Sequence, residues 1–180
     1  ALSHVVEQFH IQELHEGWTP TEKALAIGKL IESTDLPVET IAEMLCLDKR
    51  YVNQFNSLSK LSEEGRKQFS DHSIPLSYAE KINSAKNKLV RGLIAGGEEV
   101  DNQMKQEIEN AIVARYTAGE LVESGDFAML GSSFVENPKK AMELLFQKDI
   151  PVNAIFTRTN AKNTRIRINL SYTLAYLEKH

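Results

Sequence analysis

Residues 38–58, VETIAEMLCLDKRYVNQFNSL, follow Pro37 and join two short helical patterns through a tight break, and they constrain the fold more than any other segment. Helices joined that closely cross at a steep angle. The first then needs a small residue at the crossing, and both need an apolar inner face. Ala42 is the small residue, and Ile41, Leu45, Leu47, Val52 and Phe55 form the inner stripe. Cys46 occupies the turn position where glycine would most easily adopt a left-handed backbone. The pattern is that of a helix-turn-helix. It places Asp48, Lys49, Arg50, Asn53, Gln54 and Ser57 on the outer face of the second helix. Arg, Lys, Asn and Gln are side chains that bond base edges and phosphates in a major groove. The competing reading of the same pattern is an ordinary helical hairpin with a solvated face.

Composition sets wide bounds around this motif. A chain of 180 residues can bury a real core, as one compact domain or two small ones. Hydrophobic content of 42% and charged content of 26% exclude a disordered chain. No apolar run is long enough to span a bilayer and no signal peptide opens the chain, so no membrane partner is expected. The single cysteine, Cys46, cannot form an internal disulfide and is expected to pack beside Leu45 and Leu47 in a reduced, cytoplasmic compartment. The opening residue is Ala1, which suggests a fragment of a longer chain.

The net charge of −4 does not advertise nucleic-acid binding, but its distribution is uneven. Lys81, Lys86, Lys88 and Arg91 fall in a stretch without an acid, and so do Arg158, Lys162, Arg165 and Arg167. Lys86 and Lys88 are candidate phosphate contacts. Merely solvated basic faces would give the same pattern.

The rest of the chain reads as mainly α. Thr19-Pro20-Thr21-Glu22 is a helix start, with a hydroxyl cap, proline in the first turn and an early acid. The helix it opens is expected to bury Leu25, Ile27, Leu30 and Ile31. Helices are expected from Ser62 through Phe69, from Leu76 towards Ile94, from Asp101 to Tyr116, and over 118–130 and 138–148. Ala95-Gly96-Gly97 is the best boundary between a helix-turn-helix domain, 1–95, and a small α+β region, 98–180. In that second region Val152, Ala154 and Phe156 alternate, then Ile166, Ile168 and Leu170 alternate. This predicts a β-hairpin with Arg165, Arg167 and Asn169 on its polar face, followed by a helix ending at Lys179. Its exposed apolar face would favour dimerisation.

The order of three features resembles the central DNA-binding region of the ParB/KorB partition-protein family over residues 5–91. Glu7-Gln8-Phe9-His10-Ile11, followed by Thr19-Pro20-Thr21-Glu22, is similar to the family's Glu-Asn-x-x-Arg lead-in and its next helix. Tyr51-Val52-Asn53-Gln54 resembles its recognition-helix core. Ser57-Leu58-Ser59-Lys60-Leu61-Ser62 and then Ile74-Pro75-Leu76-Ser77-Tyr78-Ala79 resemble its sequel. The resemblance implies an all-helical fold and a homodimer that binds a palindromic site on double-stranded DNA in plasmid or chromosome partition, in association with nucleoid or plasmid. It also implies a partition ATPase as a partner reached through flanking regions. A KorB-type transcriptional repressor and a helical protein-interaction module are the alternatives.

Many partition proteins of this family bind CTP, but here Ile11 stands where the lead-in arginine would hold a triphosphate, so no cofactor is expected. Enzyme chemistry finds little support. Gly92-x-x-x-Gly96-Gly97 lacks the Gly-Lys-Ser/Thr of a phosphate loop, and Thr19 stands where His15-Glu16 would need a second histidine. His10, Glu13 and His15 have mixed spacing that suits a solvated surface better than a metal site.

Overall fold

The computed structural model describes residues 2–15 and 17–159. Ten helices account for the regular structure among them: α1 (Leu2–His15), α2 (Pro20–Ser33), α3 (Val38–Met44), α4 (Lys49–Ser59), α5 (Glu63–Asp71), α6 (Ser77–Ala95), α7 (Asn102–Thr117), α8 (Ser124–Glu136), α9 (Pro138–Phe146) and α10 (Val152–Thr159).

Local chemistry sets the helix starts. The Thr19 hydroxyl accepts from Glu22 N at 3.3 Å while Glu22 Oε2 accepts from Thr19 N at 2.9 Å, a reciprocal cap for α2. The Thr19 hydroxyl also donates to Glu22 Oε2 at 2.7 Å, and that bond first, then the one from Thr19 N, holds the Glu22 carboxyl below its ordinary range. Asp48 caps α4, Ser62 caps α5 and Asp101 caps α7, each through a side-chain oxygen on a backbone N–H of the first turn.

The two short helices and tight turn expected over 38–58 are present as α3 and α4. Leu47 N donates to Ala42 O at 3.0 Å and Cys46 N to Glu43 O at 3.2 Å, the paired bonds that close a helix through a left-handed residue. That residue is Cys46, at φ 53°. Its thiol is exposed, which corrects the expectation that it packs: a left-handed turn residue swings its side chain away from the inner stripe. Ile41, Ala42, Leu45 and Val52 are buried with Phe9, Ile27 and Leu30 in one apolar cluster, and Leu47 and Phe55 pack at its edge. On α2 the buried residues are Ala24, Ile27, Gly28 and Leu30; Leu25 is exposed and Ile31 half-buried, a shift of the inward face by one position. Gly28 sets that face. A Cβ there would lie 2.3 Å from the Ser59 hydroxyl and 2.6 Å from its Cβ, so α2 can lie this close to α4 only without a side chain.

A second, larger cluster gathers Leu58 and Leu61, then Ile82, Leu89 and Leu93 of α6, Ile108 and Ile112 of α7, Phe134 of α8, Leu144 of α9 and Ile155 of α10. The glycine pair ends α6 as expected, with Gly97 at φ 86°, yet this apolar core runs unbroken from Ala24 to Ile155 across the boundary expected there.

The expected hairpin is not formed at its first strand. Residues Val152–Thr159 are helical, with Val152 and Ile155 buried three apart, because a short apolar run fits either period and packing on α8 and α9 selects the helical one. Its second strand, with Arg165 and Arg167, and the helix ending at Lys179 lie outside the described residues.

Two buried ions tie the core together. Arg115 donates through Nη1 to Ile150 O at 2.5 Å and to both Glu120 oxygens, and through Nη2 to Leu145 O at 3.1 Å and Gln147 O at 2.6 Å. It thereby satisfies the last carbonyls of α9, while Glu120 accepts from Val152 N at the start of α10. Glu109 accepts from Ser62 N and Oγ through Oε1, at 2.8 and 2.7 Å, and from Lys86 Nζ through Oε2 at 2.6 Å.

Candidate nucleic-acid interface

Three helices pack around α4: α2, α3 and α6. That leaves it a narrow free face. Lys49 and Arg50 stand exposed in its first turn, Tyr51 beside them is 56% exposed, and Asn53 and Ser57 are half-buried further along. Lys49 is not an unpaired cation, since it bonds Glu39 on α3 and thereby lowers the Glu39 pKa.

Gln54 departs from the expected outward position. It is only 6% exposed, turned to the side of α4 that meets α6. Gln54 stands four residues after exposed Arg50 and four before buried Leu58, so it lies midway in angle between the free face and the buried one. Ser57 contributes its carbonyl inward, where Asn83 Nδ2 donates to it.

Lys86 also corrects an expectation. Its side chain is 12% exposed and bonded to a Glu109 carboxylate that is 2% exposed, so it is an internal counter-ion rather than a hand for phosphate. Lys88 remains on the surface side, with its stem running past Gly131, where a Cβ would lie 3.0 Å from its Cδ and Nζ. Residues two apart on a helix face away from each other, so Lys86 and Lys88 could not both reach one ligand.

The residue that pairs with Lys88 is Lys81, seven positions earlier and on the same face. Lys81 donates to Ser124 Oγ at the start of α8 and lies 4.4 Å from the Tyr78 ring centroid. Helical spacing within the acid-free stretch was the sequence signal for it. Together Arg50, Lys81 and Lys88 line a groove of about 500 Å³ between α4, α6 and α8, with Gln54, Ser77, Ser84 and Ser124 as neutral polar lining and Glu80 as its one acid. A second groove of about 470 Å³, lined by Asp48, Arg50, Tyr51, Gln54, Leu76 and Ser77, shares Arg50, Gln54 and Ser77 with it.

Such a surface can hold an anionic ligand: three cations and three hydroxyl side chains line one groove, and the guanidinium of Arg50 also lines its neighbour. His10 is drawn into packing, its Nε2 3.0 Å from Met44 O, and among the described residues no three His, Cys, Asp or Glu side chains converge as metal ligands. No described helix is long and apolar enough to cross a membrane. The chain matches no family model, no curated protein and no solved structure.

Proposed function

We propose that this chain is a sequence-specific double-stranded DNA-binding protein of the ParB type, acting as a homodimer on a palindromic site in plasmid or chromosome partition. The observation that carries the reading is the joint placement of Arg50 on the free first turn of α4 and of Lys81 and Lys88 along the adjoining groove. A helix-turn-helix presents the N-terminal residues of its second helix to base edges while neighbouring elements hold the backbone. Lys49, Arg50 and Asn53 occupy those leading positions. Arg suits guanine through two bonds, Asn suits adenine, and Lys81 and Lys88 supply sequence-independent phosphate contacts. The ordered likeness to the partition family over 5–91 supports the same reading. So does the charge placement: a chain of net charge −4 keeps three cations against one acid in this groove.

Selection of bound duplexes from a random pool, followed by titration at several salt concentrations, tests the proposal. A recovered palindrome bound with a steep salt dependence is the expected result. Absence of binding at low salt overturns it.

A further inference from the structure

We infer that the cleft between the start of α2, the end of α5 and the lead-in to α6 binds a small uncharged organic molecule, and that its occupancy weakens the hold on DNA. The second half rests on the reading above. The cleft has a volume of about 450 Å³. Leu58, Phe69 and Ile74 line it and are buried, and Leu76 beside them is half-buried. Thr19, Ser70 and Ser73 line it from exposed positions and Thr21 from a half-buried one. The interior is therefore apolar and the mouth carries hydroxyls.

Local sequence builds this shape. Ser73, at φ 51°, ends α5 in a left-handed turn, and Ile74 N donates to Phe69 O at 3.0 Å. That bond returns the chain to the side of Phe69, so both residues line one cleft. The Thr21 and Ser70 hydroxyls meet at 3.3 Å and tie the start of α2 to the end of α5.

The lining selects the occupant. A cleft of this size, apolar within and with a few polar groups at its edge, is the usual form of a small-molecule site. No ionisable side chain lines it, so a charged ligand would lose water without gaining a counter-ion. Glu22 is turned to Thr19, whose N and Oγ donate to its Oε2 at 2.9 and 2.7 Å, and does not line the cleft. Hydroxyls both donate and accept, which suits an alcohol, carbonyl or amide. The ligand is thus an aromatic or aliphatic body bearing one neutral polar group.

Position gives the consequence. Leu58 belongs to α4 itself, and Leu76 lines both this cleft and the groove that holds Arg50 and Tyr51. Leu76 is a shared wall. A ligand that presses on it from the cleft narrows the groove beside Arg50, because packed side chains transmit strain.

The experiment uses the full chain and three probes that share a phenyl ring and differ in charge: 2-phenylethanol, phenylacetate and 2-phenylethylammonium. Methyl NMR should show 2-phenylethanol binding with a low-millimolar Kd through the Leu58, Ile74 and Leu76 signals, and both charged probes about tenfold weaker. Ser70→Phe, at an exposed position, fills the mouth and should abolish these shifts with urea unfolding unchanged. Thr21→Val removes one hydroxyl and should weaken binding about threefold. Saturating 2-phenylethanol should lower affinity for a selected duplex about fivefold in the parent and leave Ser70→Phe unaffected. Absence of shifts at the three methyls overturns the proposal, as when residues 160–180 or a second copy fill the cleft. So do three probes that bind alike, or a duplex affinity that 2-phenylethanol leaves unchanged. If selection recovers no duplex, the DNA-binding reading falls, and the NMR titration still decides the site.

Discussion

Lys81 and Lys86 lie on the same helix, in the same acid-free stretch, and serve opposite faces of it. On one face Lys86 is enclosed with Glu109, which also holds the start of α5, so the lysine is part of the architecture. On the other face Lys81 and Lys88 line an open groove with Arg50. Composition assigns the two lysines the same charge and neighbourhood. What separates them is five residues of helical rotation and an acid placed 23 residues beyond Lys86. A basic stretch is thus not a basic surface until the helix phase and the buried acids are known.

The largest effect should come from the enclosed face. Lys86→Met strands the Glu109 carboxylate without its counter-ion and should lower the free energy of unfolding by about 3–5 kcal/mol, read by urea denaturation. The salt dependence of DNA binding by the folded fraction should not change. A flattened salt dependence at full stability would reverse the comparison and put Lys86 on the DNA.

Arg50→Ala comes next. Specific affinity should fall by about 1–3 kcal/mol with discrimination against random DNA reduced, while unfolding stays within about 0.5 kcal/mol of the parent. Gln54→Ala should differ by also losing roughly 1 kcal/mol of stability, because its side chain is buried. Equal stability for the two variants would show that α6 does not cover this side of α4.

Lys81→Ala and Lys88→Met should each reduce the slope of log affinity against log salt by about 0.9, for specific and random duplexes alike. Methionine at 88 retains the stem that runs past Gly131. A change confined to one sequence would make these lysines readers rather than grips. The smallest effect belongs to Glu39→Gln. Exposed pairs contribute roughly 0–1 kcal/mol, so stability should barely move, and release of Lys49 should raise DNA affinity about twofold.

Features written within a few residues were legible in the sequence. The Thr19–Glu22 cap, the Ser62 start of α5, the left-handed turn at Cys46 and the glycine stop after α6 all depend on neighbours in the chain. Features decided by distant partners were not. Ala24 and Gly28, rather than Leu25, face inward because Ser59 on α4 admits only a bare backbone. Gln54 has a polar identity that suits a free face, yet it is buried on a helix that packs against α6, and α6 begins only at Ser77. Val152, Ala154 and Phe156 satisfied a strand period only because nothing local excluded a helical one. Of the candidate site, Lys49, Arg50, Asn53 and Lys88 keep some exposure, Gln54 and Lys86 are enclosed, and Lys81 joins them for a reason of spacing alone.

The partners of Arg115 have a temporal consequence. Glu120, Leu145, Gln147 and Ile150 all follow it in the chain, the last by 35 residues. On a ribosome, the guanidinium emerges before any group that can receive its bonds. At 5–20 residues per second the wait is roughly 2–7 s. For most of that interval the guanidinium has, of these partners, only the Glu120 carboxylate, and burying it with its other N–H groups unbonded is unfavourable. The larger core has members as far along as Ile155 and so can be completed only late in synthesis, whereas every member of the smaller cluster lies at or before Phe55 and emerges early.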